Sequence, residues 1–354
     1  MKSYTTKSQA KRAHLLSILL AIAIIASVPC LTYAQSGLHV VSSPFINNST
    51  LYGAAAIADN DIWAVGVILG SKASNNATLA EHFDGNSWSV IPTPSVAGGQ
   101  FAAVDGVASN DVWAVGTQAA GNSGTTLIEH WNGTSWSVIS SPNVGHGTFF
   151  TTVTAISSSD VWAAGSNNSS VLVEHWNGVN WNVVSSPAFT GVGTIYGISA
   201  DSSNDVWAVT ATSNSVLHWN GQSWSQVPAP SAMRGDAVTV LSPTNVWVAG
   251  SRSGEHPDSL AEIWHWDGSS WSLSPTVNPL PNNVSSRFDG IAAVSASNIW
   301  AIGSFSEHWN GTSWSLVNTP SGVGILGITA LSDGTVVAVG GSCNPSCSAV
   351  ILEN

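Results

Sequence analysis

Positive charge is the scarcest property of this 354-residue sequence, which has eight Lys and Arg residues against twenty Asp and Glu residues. Residues 35–354 carry four of the basic residues and all twenty acidic ones, a formal charge of −16. The four basic residues there are Lys72, Arg234, Arg252 and Arg287. Nucleic acids and anionic membranes bind proteins through a basic surface, so both are excluded as partners.

Cysteine is also scarce, with three residues in the whole chain. Cys343 and Cys347 form a C-x3-C pair, and Cys30 lies far from them in the sequence. A metal site built on two cysteines needs further ligands, and none lies nearby in the sequence. An even pair in an exported chain is typical of a disulfide. We therefore expect a Cys343–Cys347 bond, no metal and no cofactor.

Long hydrophobic runs are missing except for one, from Leu15 to Leu31. Basic residues precede this run, and Thr32-Tyr33-Ala34 follows it. That order is typical of a secretory signal peptide, cleaved before Gln35. The alternative is a retained membrane anchor, but the run is slightly short for a span and ends in a small-residue site. We predict a signal peptide over residues 1–34, no membrane insertion after cleavage, and a secreted or cell-surface protein.

Catalytic signatures are absent as well. The chain has no ordered Ser, His and Asp set, no phosphate-binding glycine loop and no H-E-x-x-H motif. Helical periodicity is absent after residue 34, which excludes a helix-rich fold. The chain has instead eighteen Trp residues and an internal repeat. These absences favour a binding or structural role over an enzyme.

The repeat has two halves. The first half reads NDVWAVG at Asn110–Gly116, and similar copies follow the chain at a mean spacing near 46 residues, a period typical of propeller blades. The second half reads EHWNGTSW at Glu129–Trp136. The second Trp always lies six positions after the motif His, whereas that His lies 8 to 19 positions after the first Trp. One connection is therefore a fixed hairpin and the other is a variable loop.

Each repeat predicts four strands, which we name a to d. Strand a is an apolar run of small residues, strand b is the VWAVG run, strand c ends in EHW, and strand d follows an Asn-Gly or Asp-Gly hairpin. Leu38–Pro44 matches strand d, with Leu38 at its Trp position, and Ala349–Glu353 matches strand c. The sequence thus predicts an all-β, seven-bladed propeller of antiparallel four-stranded blades. An N-terminal strand completes the last blade, so no sheet edge is left open.

No linker-like stretch divides residues 35–354, so a single domain is favoured over an open array or two smaller domains. The D-V-W-A-V-G…E-H-W-N-G-x-x-W-S repeat resembles the propeller repeats of secreted or surface bacterial proteins. It is similar in outline to the kelch and galactose-oxidase propeller group. The resemblance covers residues 38–354. The repeat lacks the consistent Gly-Gly of kelch repeats, the Trp-Asp ending of WD40 repeats and the Asp-x-Gly turn of sialidases. It implies a propeller in an extracellular setting and little chemistry.

The repeated Trp and His residues invite a ligand or metal interpretation, which their regularity argues against. A large ring repeated on strand b, such as Trp113, is expected to fill the space between blades. The motif His residues, such as His130, are spread around the ring, too far apart to share one ion. We expect them to hydrogen-bond the neighbouring blade. Acidic residues such as Asp111 are expected to bond their own turn backbone.

The variable b–c loops and the d–a connections open on one face, and binding residues concentrate on such loops. Arg234 and Arg287 are assigned to d–a connections and Arg252 to a b–c loop, all near blade five. The first residues of strand a should surround the channel mouth, namely Tyr52, Ala102, Thr151, Tyr196, Asp236, Asp289 and Leu326. The candidate ligand-binding residues are Arg234, Arg252, Arg287, Asp236, Asp289, Tyr52 and Tyr196. The alternative is that the arginines pair with nearby acids and brace loops.

The first hypothesis for function is a non-catalytic, monomeric binding module for a glycan or an extracellular protein surface. An arginine patch beside Asp and Tyr suits a carboxylate or sulfate on a glycan. The second is a glycoside hydrolase or lyase on acidic sugars, loosely sialidase-like, for which Asp236 and Asp289 would be the carboxyl pair. Such pairs lie about 5–9.5 Å apart. The third is a purely structural adhesion protein without a ligand.

Overall fold

The computed structural model of the chain describes residues 37–120, 123–142, 144–168, 170–210, 215–253, 259–281, 284–343 and 347–354. The predicted signal peptide, residues 1–34, lies outside these described residues. Within them, twenty-eight strands pair antiparallel in seven four-stranded sheets. This confirms the predicted all-β, seven-bladed propeller. No helix in these ranges is long and apolar enough to cross a membrane.

The strands follow one another as the repeat predicts. Blades one to three contain β2 (Ser49–Ala58), β3 (Asp61–Ile68), β4 (Ala77–Phe83), β5 (Trp88–Val90), β6 (Gln100–Ala108), β7 (Asp111–Ala120), β8 (Ser123–Trp131), β9 (Trp136–Val138), β10 (Thr148–Ser157), β11 (Asp160–Asn167), β12 (Ser170–Trp176) and β13 (Trp181–Val183). Blades four to six contain β14 (Ile195–Ser202), β15 (Asp205–Thr210), β16 (Ser215–Trp219), β17 (Trp224–Pro228), β18 (Met233–Ser242), β19 (Asn245–Ser253), β20 (Ser259–Trp266), β21 (Trp271–Ser274), β22 (Phe288–Ser295), β23 (Asn298–Gly303), β24 (Ser306–Trp309) and β25 (Trp314–Val317). Blade seven contains β26 (Val323–Ala330), β27 (Val336–Cys343), β28 (Cys347–Glu353) and β1 (His39–Val40). Two 3₁₀ turns, Ala73–Asn75 and Pro187–Phe189, lie in connections.

Ring closure is confirmed in blade seven. His39 of β1 lies opposite Glu353, and Val40 lies opposite Leu352. Leu38 is buried in the same cluster as Trp300 of blade six, at the position where the other blades have a strand-d Trp. The predicted disulfide also forms, between Cys343 at the end of β27 and Cys347 at the start of β28.

The hairpin between strands c and d owes its constancy to one side chain. In blade two, Asn132 Oδ1 accepts the backbone N–H groups of Thr134 and Ser135, each over 3.0 Å. The following Gly133 has φ = +90°, a conformation that an L side chain rarely adopts. The Asn-Gly pair therefore specifies a tight hairpin, which accounts for the invariant six-residue spacing.

The core lies between blades, as the regular Trp spacing predicts. Trp113 of strand b in blade two meets Trp176 and Trp181 of blade three, at ring-centroid distances of 5.1 and 5.4 Å. The same contact recurs between successive blades up to blades five and six, where Trp247 meets Trp309 and Trp314. Each large ring thus excludes water from a blade interface, and this packing confirms the structural interpretation of the repeated Trp residues.

The motif His residues do not hydrogen-bond the neighbouring blade as predicted, but a residue of their own blade. His130 Nε2 lies 2.8 Å from Asp111 Oδ1, and both residues belong to blade two rather than to neighbouring blades. Asp111 Oδ1 also accepts the indole N–H of Trp113 over 3.0 Å. The prediction that Asp111 bonds its own turn backbone is corrected as well, because its carboxylate links strands b and c within one blade. The side-chain amides of Asn245 and Asn298 form the same link, to His265 in blade five and to His308 in blade six.

Every strand a has a β-bulge near its start, which the sequence did not reveal. One extra residue lies between the partners Phe101–Gly116 and Ala103–Val115 in blade two, and that residue is Ala102. The strand-b glycine faces this bulge closely. A Cβ built on Gly116 would lie 2.1 Å from the Gln100 carbonyl oxygen, and a similar clash exists at the matching glycines of five other blades. Blade four has Thr210 at this position.

We expect Gly116→Ala to lower the free energy of unfolding by roughly 2–4 kcal/mol, because the methyl group must displace main chain rather than a side chain. Urea titration followed by circular dichroism measures the change. Gly324→Ala is the control, since the nearest atom to its new Cβ is the Gly341 oxygen at 3.8 Å. Equal stability losses in the two variants would contradict the close-approach explanation.

Candidate functional site

The bulge residues form a ring at one end of the central channel. All seven lie at equivalent positions and line a single cavity of about 410 Å³, together with Gln100, Arg234 and Arg287. We call this set the channel mouth. Bulges commonly re-aim a side chain next to a binding site. The bulge residues are Tyr52, Ala102, Thr151, Tyr196, Asp236, Asp289 and Leu326.

The polar character of the mouth is asymmetric. Blades five and six contribute both of its Arg–Asp pairs, whereas blades two and three contribute small or uncharged side chains. Tyr196 of blade four lies beside the charged side, and its ring centroid is 5.8 Å from the guanidinium carbon of Arg234. A ligand in the mouth therefore meets charged groups on one side and neutral groups on the other.

The two arginines of the mouth differ in how firmly they are held. Arg287 Nε donates to Asp289 Oδ1 over 2.6 Å. Arg234 Nε lies 3.6 Å from Asp236 Oδ1, too far for a hydrogen bond. Arg234 Nε and Asp236 Oδ2 are buried atoms without a hydrogen-bond partner among the described residues. The Arg234–Asp236 pair thus contains a donor and an acceptor that no described residue satisfies.

The third arginine does not belong to the mouth. Arg252 lies in β19, not in a free b–c loop, and its Nε is 2.9 Å from Glu262 Oε1. Arg234 likewise lies in β18 rather than in a d–a connection, while Arg287 immediately precedes β22. Each arginine has an acidic neighbour, which agrees with the alternative prediction that the arginines pair with nearby acids. Glu255, His256 and Asp258, polar residues that follow Arg252 in the chain, lie outside the described residues.

Burial governs the electrostatics of the mouth. Desolvation raises the pKa of Asp236 to about 6, against the lowering effect of Arg234 and Arg287, and the charge of Asp289 adds to the rise. Desolvation also raises the pKa of Asp289, although Arg287 opposes it. Two carboxyl groups in one cavity therefore differ in how readily they ionise.

Behind the mouth, the channel continues as a second cavity of about 410 Å³ lined by all seven a strands. Asp105 lies on this lining and accepts the backbone N–H groups of Gly106 and Ala155 over 2.9 and 2.8 Å. Burial raises the pKa of Asp105 to about 6 despite these bonds. Asp105 ties blade two to blade three, and sequence reasoning missed it because no other blade has an acid at this position.

A second set of buried acids was also missed. Glu81, Glu129, Glu174 and Glu307 occupy the EHW position of strand c with no exposed surface. Glu307 accepts the backbone N–H groups of Val277 and Asn278 from the preceding blade's connection. Both oxygens of Glu129 are buried without a hydrogen-bond partner in the described structure. The signal was a charged residue repeated directly before the motif His of strand c.

Metal ligands do not gather anywhere in the described ranges. No group of three or more His, Cys, Asp or Glu side chains there is close enough to hold an ion. The motif His residues each take an acid or amide of their own blade, as in the pair of His82 and Asp61 at 2.8 Å. The groups that the mouth offers to a ligand include its arginine, aspartate and tyrosine side chains.

No protein-family model matches the chain, and no curated protein matches it at a significant level. Solved structures do match. A structure of YCF48 bound to D1 peptide superposes with a TM-score of 0.63 at 17% identity, covering 92% of this chain and 97% of that one. The WD40 β-propeller domain of Doa1 gives 0.63 at 12% identity, covering 90% and 97%. Virginiamycin B lyase from Staphylococcus aureus gives 0.61 at 13% identity, covering 89% and 99%. Similarity at these identities supports the propeller fold alone.

Proposed function

We propose that this chain is a non-catalytic binding module that takes a glycan at its channel mouth. One observation carries the proposal. Seven equivalent bulges surround the mouth, and its lining includes Arg234 and Asp236, whose Nε and Oδ2 atoms have no hydrogen-bond partner among the described residues. Buried polar atoms are normally hydrogen-bonded, and unpaired ones in a cavity mark a place where a ligand can supply the missing bonds.

The chemistry of the mouth suits sugar hydroxyl groups. A hydroxyl both donates and accepts, so it can satisfy an arginine N–H and a carboxylate oxygen at once. Adjacent hydroxyls on a pyranose ring present such groups in pairs, and Arg234 with Asp236 offers the complementary pair. The rings of Tyr52 and Tyr196 add apolar surface with a polar tip, which suits the C–H face of a sugar.

The proposed setting is extracellular. The N-terminal sequence supports it, and so does the Cys343–Cys347 disulfide, since such bonds persist in oxidising compartments. Detecting the protein in the medium or on the cell surface, rather than in the cytoplasm, tests this part of the proposal.

We expect Arg234→Ala to weaken glycan binding at least tenfold, because it removes a guanidinium of the mouth whose Nε has no hydrogen-bond partner among the described residues. Screening the protein on a glycan array, followed by titration calorimetry with the best ligand, measures the change. Arg252→Ala is the matched control, since Arg252 pairs with Glu262 and does not line the mouth. Equal loss of binding in both variants would argue against the mouth, and no binding to any glycan would overturn the glycan proposal.

The same experiment separates two other functions. Asp236 and Asp289 are two carboxyl groups with raised pKa values in one cavity, a feature that glycosidases share. Product analysis of each bound glycan therefore tests hydrolysis, and we expect the glycan to be recovered intact. One similar structure, YCF48, holds a peptide. Binding of a peptide library by a protein that binds no glycan would point to a peptide partner instead.

A further inference from the structure

The charges of the channel mouth balance one another when both of its carboxyl groups are ionised. Within the described residues, the titratable and charged side chains that line it are Tyr52, Tyr196, Arg234, Asp236, Arg287 and Asp289. Two arginines and two aspartates sum to zero, and the tyrosines are neutral. The remainder of the protein is strongly acidic. An anionic ligand therefore gains no net attraction from the mouth in this protonation state.

The two Arg–Asp pairs would respond differently to a proton. Asp289 is held by a direct hydrogen bond from Arg287, and 22% of its side chain is exposed. Asp236 has no hydrogen bond from Arg234 at 3.6 Å, and only 11% of its side chain is exposed. A carboxylate that is buried without a hydrogen-bonded partner is the costlier charge to keep. Asp236 is thus the group that takes up a proton first.

The elements packed against Asp236 contribute few other charges. Its own strand β18 contributes Arg234, β14 contributes Tyr196, and β22 with the residue before it contributes Asp289 and Arg287. On the paired strand β19, Arg252 contacts Glu262 instead. On β15, Asp205 is bound to His218. Among the charged groups of the described residues, Arg234, Arg287 and Asp289 are therefore the ones that act on the ionisation of Asp236, in addition to its burial.

We propose that the channel mouth captures an anionic group of its ligand, a carboxylate or a sulfate, when Asp236 carries a proton. This inference rests on the proposed function, because it assigns a regulation and a ligand class to the same site. Protonation removes one negative charge and leaves the mouth with a net charge of +1. The charge attraction between Arg234 and Asp236 is then lost, so the guanidinium can donate to the anion, while the protonated Asp236 gains an O–H donor.

The sign of the pH dependence follows from linkage. Because the anion binds the protonated mouth more tightly, it favours proton uptake, and the proton favours the anion by the same factor. The pKa of Asp236, raised by burial to about 6, places the transition between neutral and mildly acidic pH. Anion affinity should rise up to tenfold per pH unit as pH falls through this range. An uncharged sugar of the same shape should show no such rise.

The experiment titrates the protein with glucuronate, with sulfate and with glucose at pH 5.0 and pH 7.5. We expect glucuronate and sulfate to bind at least tenfold more tightly at pH 5.0, and glucose to bind equally at both. Calorimetry in buffers of different ionisation enthalpy should show uptake of a proton with each anion at pH 7.5. This proton count needs no variant, so it tests the inference even where a substitution impairs folding.

Two variants sharpen the result. Asp236→Asn imitates the protonated side chain, so it should bind anions at pH 7.5 as tightly as the unaltered protein does at pH 5.0. Arg252→Ala should keep the pH dependence of the unaltered protein. Anion binding that is independent of pH, or a pH dependence that persists in Asp236→Asn, would overturn the inference.

The outcomes also separate the inference from the proposed function. Glucose or another neutral glycan bound at both pH values, with no anion binding, would refute the inference and leave the glycan module standing. Sulfate bound with the expected pH dependence, but no glycan on any array, would refute the glycan module and leave the proton-coupled anion site. Binding of none of these ligands at either pH would refute both.

Discussion

Replacing Trp113 with alanine should lower the free energy of unfolding by about 4 kcal/mol, because it opens a cavity between two blades. The side chain is 2% exposed. Its indole N–H donates to Asp111 Oδ1 over 3.0 Å, and the ring packs against Trp176 and Trp181 of the next blade. The alanine variant loses both the apolar contact and one of the hydrogen bonds that Asp111 accepts.

Chemical denaturation measures this effect, with circular dichroism as the probe and each variant referred to its own folded and unfolded signals. Val179→Ala is the control, because Val179 is 73% exposed and its truncation should change stability by no more than about 0.5 kcal/mol. A loss below about 1 kcal/mol in Trp113→Ala would show that the blades do not depend on this ring. Val337 occupies the matching position of blade seven and is fully buried.

Replacing Glu129 with glutamine should stabilise the protein at alkaline pH by on the order of 3 kcal/mol and have little effect at pH 4.5. Glu129 has no exposed surface, and neither of its carboxyl oxygens has a hydrogen-bond partner in the described structure. Burial raises the pKa of Glu129 from its ordinary value of 4.5 to about 8. The folded chain therefore favours the neutral form of this side chain.

The direction of the effect follows from that shift. The preference for the neutral carboxyl stabilises the folded state fully below pH 4.5, and this contribution is lost as pH rises through about 8. Glutamine does not ionise, so at high pH the variant keeps the stability that the unaltered protein loses. Melting temperatures of both proteins at pH 4.5 and pH 8.5 give the comparison.

Glu307→Gln is the matched control for this prediction. The Glu307 carboxylate accepts backbone N–H groups from Val277 over 2.9 Å and from Asn278 over 3.1 Å. A charge supported by two donors costs less to bury, so its removal should stabilise the protein less than the removal of the Glu129 charge. An equal gain in the two variants would contradict the argument from hydrogen bonding, and no gain in Glu129→Gln at pH 8.5 would contradict the prediction itself.

The parts of the fold that depend on local pattern are predictable from the sequence. The Asn-Gly and Asp-Gly pairs specify hairpins within a few residues, and the alternation of Trp with small residues identifies strand b. The match of Leu38–Pro44 to strand d and of Ala349–Glu353 to strand c predicted the closure of blade seven. The repeat also located the residues of the channel mouth, because counting back from each strand-b Trp reaches the same position in every blade.

Contacts across the sheets were harder to predict. The repeat shows that His130 and Asp111 recur together. It does not show that they hydrogen-bond each other within one blade, because that depends on how strands b and c face each other. Arg252 was grouped with Arg234 and Arg287 because all three are near blade five in the chain. The register of β19 places Arg252 opposite Leu260 and Met233, where its side chain meets Glu262 instead.

The sequence by itself determined the number of blades, their strand order, the closing strand and the disulfide. These follow from repeat length, turn chemistry and the period-two alternation of strands, all of which act over short separations. Only the tertiary structure decided the bulges, the separation of Arg234 from Asp236 and the burial of Glu129. These depend on distances between main chains and on exclusion of water, which arise when seven blades pack around one axis and which no single repeat encodes.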